Sequence, residues 1–293
     1  MLEPASYTYP RYLSAKESVD ERSLNRRVWS RFVEELCTRS SPLRILEVGG
    51  GIGTTVERVV DTLENREVGS IEYTLVDVES QNVDAARERL LSWSDERTRE
   101  GSAGQVSIRY ETADLFDFAT AEDESYDAII AQAVLDLLSV PEVLNALRPL
   151  LATNGLWYLP IHFDGVTAFE PLIDPDLDSR IQRLYHASMT AEEHERDGPH
   201  TGRRLLTRLR EQSATLIDAG SSDWVVFADN EGYSDDEAYF LQHILHFIEE
   251  ELSGHPELES DAFADWLEKR RRQINTGELI YVAHQLDVLA RQG

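Results

Sequence analysis

Residues 45–53 read ILEVGGGIG, a short apolar run that ends in closely spaced glycines, Gly49, Gly51 and Gly53, with Glu47 two residues before the first. Such a run is the mark of a buried strand that turns sharply into a helix, because glycine takes up left-handed backbone at little cost and lets another group approach the main chain. Residues 54–63 carry helical spacing, with Thr54 and Thr55 as plausible starts. Amides at a helix start face an anionic or polar group. A dinucleotide-binding loop needs glycine at the first, third and sixth positions, and Thr54 occupies the sixth. No Gly-Lys-Ser/Thr ending follows, which excludes the phosphate loop of nucleoside triphosphatases.

Outward from this turn, strands and helices alternate. Residues 44–48, 71–76, 106–112, 126–131 and 156–163 read as strands, and 82–93 and 141–151 as helices. Alternation of this kind predicts an α/β fold, a doubly wound and mostly parallel sheet of about seven strands with right-handed crossovers. Ligands of such sheets bind beyond the carboxyl ends of the strands. Beyond residue 163 the pattern changes. Residues 164–200 hold prolines, many acids and His186, His194 and His200, with a weak helix at 181–189. A helix at 203–212, a strand at 214–219, an extended stretch at 224–228, amphipathic helices at 235–252 and 261–274 and a last strand at 278–286 complete the chain. The expected plan is a single domain over 1–293: N-terminal helices in 1–40, a ligand-binding core in 41–163, cap insertions in 164–200 and 231–275, and 201–230 with 276–293 completing the sheet.

LEVGGGIG resembles the first motif of class I S-adenosylmethionine (SAM) dependent methyltransferases, where an acidic residue and this glycine pattern enclose the methionine half of SAM. The resemblance assigns that role to Glu47, Gly49, Gly51 and Gly53. In YTLVDVE, Asp77 falls at the end of the second strand, where the family's acidic residue binds both ribose hydroxyls, with Val78 beside it. A carboxylate accepts two hydrogen bonds from a cis-diol at once. TADLFDF is similar to the motif whose aspartate accepts from the adenine amino group while the next amide meets the ring, which implicates Asp114 and Leu115. YDAIIAQAVLDLL is similar to the motif under the methionine moiety, with Gln132 and Ala133 at its backbone contacts. The segment NALRPLLATNGLWYLP resembles the approach to strand five. The resemblance spans residues 45–160 and implies a SAM-dependent methyltransferase that releases S-adenosylhomocysteine. It leaves the acceptor atom, O, N, S or C, open. Non-catalytic binding of SAM or of a partner, and another transfer from SAM such as aminopropyl transfer, stand as alternatives.

For a proton-bearing acceptor a base is needed, and His162 and Asp164 at the end of strand five are the candidates from position. Tyr12, Arg22, Asn25 and Arg27 are the candidates for the SAM carboxylate. His243 and His246 have the spacing of a metal pair, but no third ligand accompanies them and FLQHILHFIEEEL reads as an amphipathic helix; no metal is expected.

Fifty-five acidic against 28 basic residues give a net charge of -27, and lysine occurs only at Lys16 and Lys269. The acids are spread along the chain, which fits adaptation to high salt, where screening over about 3 Å at 1 M suppresses self-repulsion. Such a surface repels phosphate backbones and anionic lipid, so no nucleic acid and no membrane partner is expected. The acceptor is expected to be a small molecule bound under the cap. A single cysteine, Cys37, and the lack of a signal-like start predict a cytoplasmic protein.

Overall fold

The computed structural model describes residues 4, 6–66, 68–100, 105–190 and 198–293. Helices α1 (Tyr9–Ala15), α2 (Glu17–Ser23) and α3 (Arg26–Leu36) precede β1 (Leu43–Val48). There follow α4 (Thr54–Glu64), β2 (Ser70–Asp77), α5 (Ser80–Glu100), β3 (Gln105–Thr112), α6 (Leu115–Ala121), β4 (Tyr126–Ile130), α7 (Val140–Leu147) and β5 (Leu151–Glu170). The rest of the chain forms α8 (Pro175–Ser188), α9 (Thr201–Glu211), β6 (Ala214–Ser221), β7 (Trp224–Val226), α10 (Glu237–Leu252), α11 (Ser260–Thr276) and β8 (Ile280–Gln292).

Among the described residues these strands form one eight-stranded sheet in the order β3-β2-β1-β4-β5-β8-β6, with β7 paired to β8 off that path. Strands β1 to β5 run parallel. β8 enters antiparallel between β5 and β6. The parallel strands are apolar on both faces because helices cover both. Ile45, Tyr73 and Tyr158 point into one layer with Phe32 of α3 and Val56 and Val60 of α4. Leu46, Trp157 and Val288 point into the other, against Val143 and Leu147 of α7 and Leu205 of α9. Helix α3 starts on Asn25, whose side chain accepts from the Val28 amide, one of the donors a helix start leaves unmatched.

A third apolar cluster lies beyond the carboxyl edge of the parallel strands. It joins α1, α2, α8, α10 and α11 to Ile161, Phe163 and Phe169 of β5 and to Tyr281 and Ala283 of β8. Its frame is the outward extension of β5 and β8: Thr167 pairs with Ala283 and Glu170 with Ile280, and β7 adds Trp224 opposite Ala283. The cap is therefore built on the sheet itself.

Here the sequence expectations need correction. Strand five does not stop at Phe163, and residues 164–170 are strand, not covering segment. β5 is kinked twice, where its register with β8 shifts between Leu159 and His162 and between Phe163 and Thr167, and Ile161 and Gly165 adopt positive φ (59° and 84°). Each kink resets the alternation of side chains, which hides the strand from a period-two reading. β8 likewise runs to Gln292 instead of 286, the helix at 181–189 begins at Pro175, and the short helix α6 was not expected. The N-terminal helices expected in 1–40 divide between two cores: Val19 and Leu24 belong to the cap cluster, Val28 and Phe32 to the sheet. His194 lies outside the described residues.

Candidate functional site

The turn from β1 into α4 is held by main-chain bonds: the Gly50 amide donates to the Val76 carbonyl at 3.1 Å and the Gly53 amide to the Gly50 carbonyl at 3.0 Å. Gly49, Gly51 and Gly53 have φ of 65°, 53° and 83°, the left-handed region. A Cβ on Gly49 would stand 2.6 Å from Val134, and one on Gly51 would stand 3.0 Å from Leu13 of α1. Gly53 answers to a different neighbour, since its Cβ would meet Leu90 of α5 at 2.8 Å.

Asp77 closes the turn from the next strand. Its Oδ2 accepts from the Gly51 amide at 2.9 Å, and its Oδ1 from the Glu79 amide at 2.9 Å and from Asn82 Nδ2 at 3.1 Å. The carboxylate is buried, and the single bond on Oδ2 leaves that oxygen able to accept another. Asp114 caps α6, its Oδ1 accepting from the Phe116 amide at 2.8 Å and the Asp117 amide at 3.3 Å, while the residue itself stays exposed.

These groups meet at a cavity of about 520 Å³ on the carboxyl edge of the parallel strands. Gly49, Gly51, Asp77, Val78, Asp114 and Leu115 line it, as do Gln132 and Ala133. Its far wall is α1, which contributes Tyr9, Pro10 and Leu13, followed by Lys16. Four of the sequence candidates stand elsewhere. Gly53 is the packing glycine just described. Glu47 is buried beneath the turn, accepting from the Tyr73 hydroxyl at 2.7 Å. Burial pushes its carboxyl up to about 7, against the pull of the Tyr73 and Thr55 hydroxyls. His162 is wholly buried, and burial pushes its imidazole down to about 3, so it is neutral. Asp164 holds the start of α9: it accepts from the Arg203 amide at 2.9 Å and from the guanidinium at 2.8 Å.

The four N-terminal residues expected at the SAM carboxylate are also engaged elsewhere. Tyr12 packs on Phe240 and His243. Arg22 pairs with Glu237. Asn25 caps α3 and donates to the Ser221 carbonyl at 2.9 Å. Arg27 reaches Asp218 and the Ala219 carbonyl. Lys16 is the residue the sequence reading missed. It lines the cavity and its Nζ lies 3.1 Å from Asp20 Oδ2. Asp20 also accepts from Trp224 Nε1 at 2.9 Å and from Gln132 Nε2 at 3.2 Å, and Gln132 Oε1 accepts from Arg58 at 3.2 Å. A continuous polar chain thus runs from Arg58 under the cavity to Lys16. The available signal was that Lys16 is one of only two lysines in an arginine-rich chain. His243 and His246 pack among aromatic rings: the His246 ring stacks on Tyr7 at 4.1 Å, and the His243 ring meets Phe247 edge-on at 4.6 Å.

A parallel sheet carrying a glycine turn after β1, carboxylates after β2 and β3, and a cavity across all three edges defines the class I SAM-dependent methyltransferase fold. Residues 46–157 match the family described as "Methyltransferase domain". The match places a methyltransferase domain in this part of the chain. A curated relative, lovastatin diketide synthase lovF of Aspergillus terreus, is 32% identical over 131 residues, which cover 43% of this chain and 5% of that much longer protein. Among solved structures, a protein of Anaeromyxobacter dehalogenans provisionally assigned as a type II methyltransferase has the same fold, with TM-score 0.51, 15% identity and coverage of 90% of this chain and 95% of that one. A SAM-dependent methyltransferase of Thiobacillus denitrificans, solved with S-adenosyl-L-homocysteine, gives TM-score 0.48 at 17% identity over 98% of this chain and all of that one (100%). No helix among the described residues is long and apolar enough to cross a membrane.

Proposed function

We propose that the chain moves the methyl group of SAM to a small-molecule acceptor enclosed between the sheet edge and the cap. The observation that carries this reading is the cavity, in which Gly49, Gly51, Asp77 and Asp114 converge with Lys16. The donor set fits the cofactor. Asp77 holds the ribose diol through its under-used Oδ2, and Asp114 with Leu115 meets the adenine edge. The glycine turn, Gln132 and Ala133 pass along the methionine chain. Lys16 pairs with the amino-acid carboxylate, a charge-assisted contact that a hydroxyl or amide would not match. When bound, SAM supplies an activated methyl on a sulfonium; the protein's tasks are to orient acceptor and methyl in line and to keep water out.

Calorimetric binding of SAM and S-adenosylhomocysteine tests this. Asp77→Ala is expected to weaken SAM binding by roughly 1 to 3 kcal/mol, the range for lost hydrogen bonds to a charged group, or about 5- to 150-fold. An unchanged affinity would show that the ribose assignment is wrong. Cofactor binding without turnover of any small acceptor would favour a non-catalytic SAM-binding protein.

A further inference from the structure

Lys16 stands where α1 passes into α2, at the end cap of one helix and the start cap of the next. It brings an ammonium to the cavity on a long stem, and a lysine stem rotates freely unless something holds it. Here three groups do. Asp20, one turn further along α2, has its Oδ2 at 3.1 Å from Nζ, and the Trp224 and Tyr12 rings lie 5.4 and 6.0 Å from it. Both members of the ion pair are buried, Lys16 with 9% and Asp20 with 3% of its surface exposed.

Asp20 is held in its turn. Its Oδ1 accepts from Nε1 of Trp224, at the start of β7, at 2.9 Å, and its Oδ2 accepts also from Nε2 of Gln132, just beyond β4, at 3.2 Å. Gln132 is fixed from behind by the Arg58 guanidinium at 3.2 Å. Donors from three parts of the fold thus converge on one carboxylate. Lys16 and Gln132 line the cavity and Asp20 does not, so it stands behind the two groups that a ligand meets. A buried ion pair adds little net stability over apolar side chains of similar size, yet it fixes one arrangement of the groups it joins.

We propose that Asp20 is a positioning residue for the amino-acid end of the cofactor: it holds the Lys16 ammonium in one place and so makes the protein select ligands that carry the amino-acid carboxylate over those that lack it. This rests on the methyl-transfer reading above, in which Lys16 meets that carboxylate. Charge and placement predict opposite signs for the loss of Asp20. As a negative charge beside Lys16 it weakens the pull on another carboxylate, so if it only screened the ammonium its removal would tighten binding. As a positioning group its removal loosens binding. The freed ammonium spreads over several rotamers, and an amide in place of the carboxylate has a single acceptor oxygen for three donors, with its own NH₂ turned towards one of them.

The test measures calorimetric binding of S-adenosylhomocysteine and of methylthioadenosine to wild type, Asp20→Asn, Lys16→Met and the double variant. Methylthioadenosine keeps the nucleoside and the sulfur but lacks the amino-acid end. Wild type is expected to bind S-adenosylhomocysteine more tightly by about tenfold or more. Asp20→Asn should weaken that binding by about tenfold and change the affinity for methylthioadenosine by no more than about twofold. Lys16→Met should remove most of the preference, and adding Asp20→Asn to it should cost nothing further, because the group that Asp20 positions is gone. Equal losses for both ligands would make Asp20 a structural residue, and tighter binding of S-adenosylhomocysteine would make it a screen. A further loss in the double variant would make it act independently of Lys16. Each of these overturns the proposal, as does an unchanged Asp20→Asn or a wild type that binds both ligands alike. Should Asp20→Asn fail to fold, Trp224→Phe removes the indole donor and leaves the ion pair; a split of about threefold between the two ligands supports the proposal, and no split overturns it. A wild type that binds neither ligand sinks the methyl-transfer reading, and the proposal with it.

Discussion

The sheet layers and the cap bury similar kinds of side chain, yet they are organised by different means. In the layers, regular elements pack face to face, and nearly every contact is apolar: Phe32 stacks on Tyr158 at 4.3 Å, with Leu156 and Leu289 in the same cluster. In the cap, short and long helices converge at several angles on a kinked ribbon, and ion pairs fix them. Asp178 of α8 is wholly buried against Arg270 of α11 at 2.6 Å, takes a further bond from Trp266 Nε1 at 2.6 Å, and accepts from the Ile173 and Asp174 amides. Arg270 also donates to the Pro171 carbonyl at 2.7 Å. A buried pair of this kind adds little net stability, but it fixes one arrangement because removing either partner strands a charge. The difference teaches that the cap is specified by a few polar contacts and the layers by volume and period.

Breaking the cap should therefore need one residue. Arg270→Met is expected to cost about 3 to 5 kcal/mol, since it leaves Asp178 buried and unpaired. Urea unfolding would check it, and a loss below about 1 kcal/mol would mean that the cap does not depend on the pair. In the layers the largest polar liability is Glu47. The folded protein holds the Glu47 proton more tightly than the unfolded chain does, so the contribution of Glu47 to stability is greatest below about pH 4.5 and is lost as pH rises towards about 7. Glu47→Gln should remove that slope and stabilise the protein at pH 8 by roughly 2 to 3 kcal/mol relative to wild type. Urea midpoints measured at acid and alkaline pH would show parallel curves if Glu47 were not responsible. The smallest effect is expected at Gly53. Its left-handed backbone and its contact with Leu90 make Gly53→Ala cost about 1 to 2 kcal/mol of stability, with SAM affinity of the folded protein unchanged; a large loss of affinity would return Gly53 to the cofactor site.

Much of the candidate site was legible in the sequence because the cavity-lining candidates are strand-end residues. Once residues 45–53 are a strand and a turn, parallel pairing brings the ends of β1, β2, β3 and β4 to one edge, and Gly49, Gly51, Asp77, Asp114 and Gln132 arrive there together. Glu47 did not, because it lies inside β1, one residue short of its end, and is buried under the turn with Tyr73 as its partner. The base candidates His162 and Asp164 stand away from the cavity for a related reason. His162 and Asp164 were read as the end of a strand, but β5 continues for seven residues past Phe163 to Glu170, and Asp164 became an anchor for α9.

By itself, the sequence determined the doubly wound sheet and the position of the glycine turn and of the carboxylates at the strand ends, because strand period and left-handed glycines are local properties. Tertiary structure alone decided which groups close the cavity. Lys16 and Leu13 reach it from an element distant in the chain, and burial, which sets the state of Glu47, exists only once those elements have packed.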